Sequence, residues 1–246
     1  MLRIVRIGFA LLLVLAAKAI AADSTSVLFV GNSLTQVNDL PAVFKRFAAG
    51  SSLQVEVETI AVTPGGAFLS DHWKRGDAVA LLREKHPNFL ILQGQSTEPL
   101  SAPKSFSQSA ALFKAEADRV GAKTVLFATW AHPASDPYYK QSTSGGSPSA
   151  MQAGLNSGYA SVAKNIGAML APVGVAFEIG QKNSPKIKLL DGTQHPSPAG
   201  TYLAAAVLFR VIFNTPSGES TYYSTLPKET ALRLQRVADE VSISPR

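Results

Sequence analysis

Ser33 is the first residue in this chain whose position suggests chemistry. It follows an apolar run in the segment SVLFVGNSLT (26–35), and that run stops at Gly31 and Asn32. Glycine, asparagine and serine are common in turns because of backbone freedom and local hydrogen bonding, so an ordinary turn explains the cluster by itself. The alternative is a nucleophile displayed at the carboxyl end of a buried strand. That alternative requires a base and a set of oxyanion donors elsewhere in the chain.

His195 is the strongest candidate for the base among the four histidines of the chain. It stands in the segment DGTQHPSPAG (191–200), just before a helix for which Ser197 is the predicted cap and Pro198 the first residue. The apolar body of that helix anchors it in the core, so the preceding loop is held rigidly. Asp191 lies four residues before His195, close enough along the chain to orient the imidazole.

The other three histidines are weaker candidates. His86 precedes Pro87 at a predicted helix-to-strand junction, which puts it at the opposite end of the sheet from Ser33, and we expect a structural role for it. His72 begins a predicted helix and His132 follows the fourth predicted strand. Both can reach the cleft, but such histidines are more often packing or binding residues than bases.

Apolar runs alternate with helical patterns along the chain. The strand patterns are Val27–Val30, Val55–Ile60, Phe89–Leu92 and Thr124–Ala128, with a last strand over residues 168–180. The helical patterns cover residues 39–50, 71–86, 105–122, 151–166, 198–213 and 227–241. Asp39 is a plausible cap for the first helix and Gly50 a plausible end. This alternation predicts an α/β fold, with a mainly parallel sheet and helices on both faces.

The predicted sheet brings several polar loops together. In an open parallel sheet, ligands bind outside the carboxyl ends of the strands. The loops at those ends carry Gly31-Asn32-Ser33, Gly65-Gly66, Gly94-Gln95-Ser96 and Thr129-Trp130-Ala131-His132. Backbone N–H groups and short side chains are therefore expected to meet in one cleft, which favours the nucleophile over the plain turn at Ser33.

These blocks, in this order along nearly the whole mature chain, resemble the SGNH (GDSL-like) hydrolase superfamily. The matching segments are GNSLT, GG after the second strand, LQGQS after the third and DGTQHPSPAG near the end. The resemblance implies a flavodoxin-like three-layer α/β/α sandwich that hydrolyses esters through Ser33, His195 and Asp191. Asn32 stands where many members have aspartate, a variation that leaves the nucleophile unchanged.

The resemblance also implies the oxyanion donors. They are the N–H of Ser33, the N–H of Gly66 (with Gly65 as the alternative) and the side-chain amide of Gln95. Gln95 stands where the family usually has asparagine, so its loop must lie further back by about one methylene group. The last block is one residue longer than the family's Asp-x-x-His, and Gly192 can absorb that insertion.

The first residues have the pattern of a secretory signal peptide. Two arginines precede an apolar run over residues 7–17, and small residues follow it. The run is shorter than the roughly 20 residues that a membrane-spanning helix needs. We predict a signal peptide over residues 1–22, cleaved near Ala21 or Ala22, and one hydrolase-like domain over residues 23–246. The protein is then exported, periplasmic or secreted, without a stable membrane anchor after cleavage.

The composition argues against several function classes. The chain has no cysteine, so it has neither disulfides nor thiol chemistry. Three of its basic residues lie in the predicted leader, so the net charge of +6 falls to +3 in the mature chain, and no basic stripe indicates nucleic-acid binding. No phosphate-binding loop or G-x-S-x-G motif occurs, and the histidines lack metal-ligand spacing. We therefore expect neither cofactor nor metal.

The sequence thus predicts an exported serine ester hydrolase acting by acyl transfer on a small-molecule or glycan ester. Aromatic residues near the site loops, Trp130 among them, can stack on a sugar, although such residues more often pack in the interior. The alternative is a non-catalytic exported module of the same fold, either carbohydrate-binding or associated with the cell envelope. Gln95 and the long spacing between Asp191 and His195 keep that alternative open.

Overall fold

Five strands of one parallel sheet organise residues 24–183 and 187–243, the part of the chain that the computed structural model describes. The strands are β1 (Thr25–Val30), β2 (Val57–Val62), β3 (Phe89–Leu92), β4 (Lys123–Phe127) and β5 (Met169–Ala171). Their order in the sheet is β2-β1-β3-β4-β5, and every neighbouring pair is parallel. The predicted signal peptide lies outside the described residues.

Helices connect the strands and complete the domain. Before β4 they are α1 (Ser33–Gln36), α2 (Leu40–Ala49), α3 (Leu69–Arg75), α4 (Asp77–Lys85), α5 (Glu98–Ser101) and α6 (Pro103–Arg119). After β4 they are α7 (Pro148–Ile166), α8 (Val173–Asn183), α9 (Pro198–Phe213) and α10 (Lys228–Glu240). No helix within the described residues is long and apolar enough to cross a membrane.

The sheet is covered on both faces, so the three-layer α/β/α prediction is confirmed. Successive side chains of a strand point to opposite faces, and in β1 both sets are buried. Val27 and Phe29 pack in a core with α2, α8, α9 and α10. Leu28 and Val30 pack in a second core with α3, α4, α6 and α7. Burial of both faces explains why β1 is apolar from Val27 to Val30.

Two helix boundaries that position the site follow the predicted caps. The carboxylate of Asp39 accepts a hydrogen bond from the backbone N–H of Ala42 at 3.3 Å, and α2 ends at Gly50. The hydroxyl of Ser197 accepts one from the N–H of Gly200 at 3.2 Å and starts α9. Nearly all of α9 is buried, so the loop before it is anchored in the core as predicted.

The prediction of a last strand over residues 168–180 is wrong beyond its first residues. Only Met169–Ala171 pairs with β4, and the chain then turns into α8. An apolar run of this length suits a buried helix as well as a buried strand, so its pattern does not distinguish them. At Gly174 a Cβ atom would lie 2.1 Å from the carbonyl oxygen of Thr129, which shows how closely α8 packs on the chain after β4.

Two other predicted boundaries also differ. The helix predicted over residues 71–86 begins earlier, at Leu69, and breaks at Gly76 into α3 and α4. Gly76 has a φ of 79°, a left-handed conformation that glycine adopts at little cost, and the break follows from it. Strand β2 lies two residues later than predicted.

Candidate active site

Ser33 lies at the carboxyl end of β1, as the first residue of the short helix α1. The side chain of Asn32 caps this helix, since its Oδ1 accepts the N–H of Leu34 at 3.1 Å. The Nδ2 of Asn32 donates to the carbonyl of Ala67 at 3.1 Å and ties the turn to the loop after β2. The backbone N–H of Ser33 has no hydrogen-bond partner among the described residues, so it is free to bind a substrate oxygen.

The side chain of Gln93 fixes the turn that carries Ser33, a role that the sequence analysis did not identify. This side chain is fully buried, and its Oε1 accepts the N–H of Asn32 at 3.0 Å and the hydroxyl of Thr35 at 2.9 Å. A Cβ atom at Gly31 would lie 2.6 Å from the same Oε1. Position 31 therefore requires glycine, because a side chain there would clash with Gln93. A polar residue at the end of the apolar strand β3 was the available signal for Gln93.

His195 meets Ser33 across the sheet edge. Its Nε2 lies 3.0 Å from the Ser33 Oγ, the distance of a hydrogen bond. The Nδ2 of Asn38 donates to the carbonyl of Pro196 at 2.9 Å and to the hydroxyl of Thr201 at 3.0 Å. Asn38 thus joins the segment after α1 to the segment that carries His195, and it is a second residue that sequence reasoning missed.

The carboxylate of Asp191 does not hydrogen bond directly to the imidazole of His195. Its Oδ1 accepts the N–H of Thr193 at 2.8 Å and the hydroxyl of Thr193 at 2.7 Å. The same hydroxyl lies 3.0 Å from the Nδ1 of His195. The hydrogen bond from the Thr193 hydroxyl, together with that from its N–H and the nearby imidazole, lowers the pKa of the exposed Asp191 carboxyl despite some desolvation. Thr193 therefore stands between the two predicted residues.

Gly66 and Gln95 line the same small cavity as Ser33. The cavity has a volume of about 50 Å³, and its other lining residues are Asn32, Leu34, Ser96 and Gln194. Gly65 is not among the residues that line the cavity, so the geometry favours the N–H of Gly66 over that of Gly65 as the predicted oxyanion donor. Gly66 has a φ of 71°, which suits glycine, and a Cβ atom there would point into open space.

The side-chain amide of Gln95 is oriented by a neighbouring threonine. Its Oε1 accepts both the N–H of Thr97 at 2.8 Å and the hydroxyl of Thr97 at 2.9 Å. The Nε2 group has no partner within the described part of the chain. The carbonyl end is therefore fixed, and the amide end remains available as a donor.

Glu98 connects the two loops that carry Gly66 and Gln95. Its carboxylate is fully buried and accepts the backbone N–H of Gln95 at 2.8 Å and that of Leu69 at 3.2 Å. Burial raises the pKa of Glu98 to about 7, although the two N–H groups act in the opposite direction. Sequence reasoning passed over Glu98 because it directly follows polar residues that look like an ordinary loop.

The remaining histidines are not brought to Ser33. His72 is fully buried, and its Nε2 donates to the carbonyl of Gly31 at 2.7 Å. His132 is buried with its Nδ1 3.0 Å from a carboxylate oxygen of Asp136. Burial lowers the pKa of both imidazoles, which favours their neutral forms. His86 ends α4 before β3, at the opposite edge of the sheet as predicted.

Trp130 supports, from the interior, the loop 191–195 that carries His195. Its Nε1 donates to the carbonyl of Gln194 at 3.0 Å, and its ring stacks on Phe177 with 4.1 Å between centroids. The ring is only 2% exposed, so it is not available to stack on a sugar. Over residues 24–183 and 187–243, no group of three or more histidine, cysteine, aspartate or glutamate side chains is placed to hold a metal ion.

No protein-family model and no curated protein sequence matches the chain. A protein from Slackia heliotrinireducens, described as an SGNH hydrolase, is 30% identical with a TM-score of 0.64, over 77% of this chain and 100% of that chain. A DUF4886 family protein from Bacteroides uniformis has a TM-score of 0.72 at 16% identity, over 88% of this chain and 93% of that chain. The acetylxylan esterase Axe2 from Geobacillus stearothermophilus has a TM-score of 0.59 at 13% identity, over 76% of this chain and 94% of that chain.

Proposed function

Because this chain belongs to the SGNH hydrolase superfamily, we propose that it is an exported serine ester hydrolase that acts by acyl transfer at Ser33. The observation that carries the proposal is the 3.0 Å contact between the Ser33 Oγ and the His195 Nε2. A serine hydroxyl that donates to an imidazole nitrogen is the resting arrangement of a nucleophile and its general base.

The reaction has two halves. In the first, His195 takes the Ser33 proton while the Oγ attacks the ester carbonyl carbon, and the carbonyl oxygen becomes an oxyanion. The N–H groups of Ser33 and Gly66 and the Nε2 of Gln95 donate to that oxygen. The intermediate then expels the alcohol, which takes the proton from His195. In the second half, water loses a proton to His195 and attacks the acyl carbon. The bond from that carbon to the Ser33 Oγ then breaks, the Oγ takes the proton back from His195, and the acid leaves.

The size of the cavity supports a short acyl group such as acetyl. Its volume of about 50 Å³ is far below the roughly 300–1,000 Å³ of pockets that enclose drug-sized ligands. The fold neighbour Axe2 is named as an acetylxylan esterase, which agrees with an acetylated glycan as the substrate. Export of the protein would place it where such polymers occur.

The fluorophosphonate reaction of the purified mature protein tests the nucleophile. We expect labelling of the wild type at Ser33, none in Ser33→Ala, and normal labelling in Ser52→Ala, which alters an exposed serine at the far end of α2. A folded wild type that resists labelling and cleaves no ester would overturn the proposal. If such a protein still bound a glycan, the non-catalytic module would be the correct reading.

Two further measurements test the substrate and the export. In a panel of 4-nitrophenyl esters and acetylated xylo-oligosaccharides, acetyl esters should give the highest kcat/KM, and a preference for long acyl chains would contradict the small cavity. For export, the full chain is expressed in a bacterial host and the cells are fractionated. The mature protein should appear outside the cytoplasm with an N-terminus near Ala22. An uncleaved cytoplasmic product would refute export while leaving the esterase untouched.

A further inference from the structure

In the segment 191–195, the carboxylate of Asp191 and the imidazole of His195 are not joined by a direct hydrogen bond. We infer that Thr193 is a positioning residue whose hydroxyl couples the carboxylate of Asp191 to the imidazole of His195. The inference rests on the proposed function, since it concerns the base of the same site. The Thr193 Oγ1 lies 2.7 Å from the Asp191 Oδ1 and 3.0 Å from the His195 Nδ1.

The hydrogen-bonding capacity of the Thr193 hydroxyl fixes where each proton lies. A hydroxyl has one donor and two acceptor positions. The Asp191 carboxylate only accepts, so the single hydroxyl proton points to it. The hydroxyl oxygen also accepts the backbone N–H of His195 at 3.1 Å. Its second acceptor position then faces the His195 Nδ1, which must carry a proton in order to donate.

This assignment leaves the imidazole in the form that a base requires. With the proton on Nδ1, the neutral ring has its lone pair on Nε2, the atom that faces the Ser33 hydroxyl. Thr193 therefore selects the tautomer and holds the plane of the ring. When the ring becomes charged during the reaction, the same hydroxyl carries the polarising effect of Asp191 to it.

The backbone of the block is shaped for this arrangement. The N–H of Asp191 donates to the carbonyl of His195 at 3.1 Å, which closes the block into a tight loop. Gly192 has a φ of 109°, a conformation that other residues rarely adopt, and it turns the chain so that Thr193 comes between the two ends. The extra residue in the block thus adds a hydroxyl to the chain of hydrogen bonds.

Two substitutions at Thr193 separate the hydroxyl from the shape of the side chain. Thr193→Val keeps the volume and removes the hydroxyl, and it should lower kcat for an acetyl ester by roughly 10- to 100-fold with little change in KM. That loss is a part of the roughly 10²–10⁴ that general base catalysis contributes as a whole. Thr193→Ser should stay within about threefold of the wild type, since it keeps the hydroxyl.

The carboxylate should act mainly through the hydroxyl. Asp191→Asn is expected to lose about as much kcat as Thr193→Val, and the double variant should be no worse than either, because both changes break one chain of hydrogen bonds. Thr221→Val is the matched control. It removes a hydroxyl that donates to the carbonyl of Gly50 at the end of α2, away from the site, and should leave kcat unchanged.

Nitrogen-15 NMR of the imidazoles gives a readout that does not depend on activity. In the wild type at neutral to alkaline pH, the His195 resonances should report a protonated Nδ1 and an unprotonated Nε2, and in Thr193→Val they should shift towards a mixture. The inference is overturned if the wild type has the opposite tautomer, if Thr193→Val keeps full turnover, or if Thr193→Ser is as defective as Thr193→Val. Absence of fluorophosphonate labelling in the wild type would instead refute the proposed function itself.

Discussion

Replacing Glu98 with glutamine should change how the free energy of unfolding depends on pH. Burial raises the pKa of this carboxyl from 4.5 to about 7 in the folded protein, while the unfolded chain keeps the ordinary value. Between these two pH values the unfolded chain has released a proton that the folded protein still holds. The free energy of unfolding therefore falls as the pH rises through this window.

The size of the effect follows from the two pKa values. Each pH unit between them corresponds to about 1.4 kcal/mol, so the complete change amounts to about 3 kcal/mol. Below pH 4.5 both states are protonated, and above pH 7 both are ionised, so the dependence levels off at each end. Glutamine has nearly the same shape and no titrating proton, and this contribution should be absent from Glu98→Gln.

Urea unfolding at a series of pH values from 4 to 8 measures the effect. The quantity to compare is the difference in unfolding free energy between wild type and Glu98→Gln, because buried His72 and His132 titrate in both proteins and cancel. That difference should fall by about 3 kcal/mol across the window. The control Glu56→Gln, at an exposed position, should give a flat difference. A flat difference for Glu98→Gln as well would refute the reasoning.

Three further predictions concern the reacting groups and their support. Ser33→Ala and His195→Ala should each abolish nearly all ester hydrolysis in steady-state assays, and the double variant should be scarcely worse, since nucleophile and base act as a unit; additive losses would contradict this. Gln95→Ala should lower kcat by roughly 10²–10³ with little change in KM, the scale for one oxyanion donor, and unchanged turnover would mean that another group donates. Asn38→Gly tolerates the local φ of 57° but frees the segment at Pro196. It should lower kcat by roughly 10-fold, within the scale of losses from small misplacements of a catalytic group. An unaltered kcat in a folded variant would show that the hydrogen bonds of Asn38 do not position His195.

The framework of the fold was predictable because it depends on local patterns. The first four predicted strands became β1 to β4, and the caps at Asp39 and Ser197 start helices as expected. The failure came at residues 173–180, where the same apolar composition suits a strand or a helix. Tertiary packing decides between them, and the close approach of Gly174 to the chain after β4 is not visible in the pattern.

The two reacting residues of the candidate site could be predicted from the sequence, whereas the residues that hold them in place could not. Ser33 and His195 belong to motifs, and the parallel sheet brings both to one edge. Glu98 and Gln93 act through contacts with residues from other loops or strands, which no local pattern records. Thr193 stood inside a recognised block, but its role depends on the direction of one hydroxyl and on the turn at Gly192, which only the folded loop determines.

The exposure of Asp191 and its neighbours bears on the kind of substrate that the site can accept. Asp191 and Thr193 lie on the surface, while His195 and Ser33 are partly buried between that surface and the core. The loop is held from the inner side by Trp130, which donates to the carbonyl of Gln194, and at its end by Asn38, which donates to the carbonyl of Pro196. A nucleophile presented near the surface, beside a cavity of about 50 Å³, is accessible to an ester group that projects from a large molecule. A deep pocket would exclude such a polymer, so this arrangement supports an acetyl group on a glycan over a free metabolite enclosed by the protein.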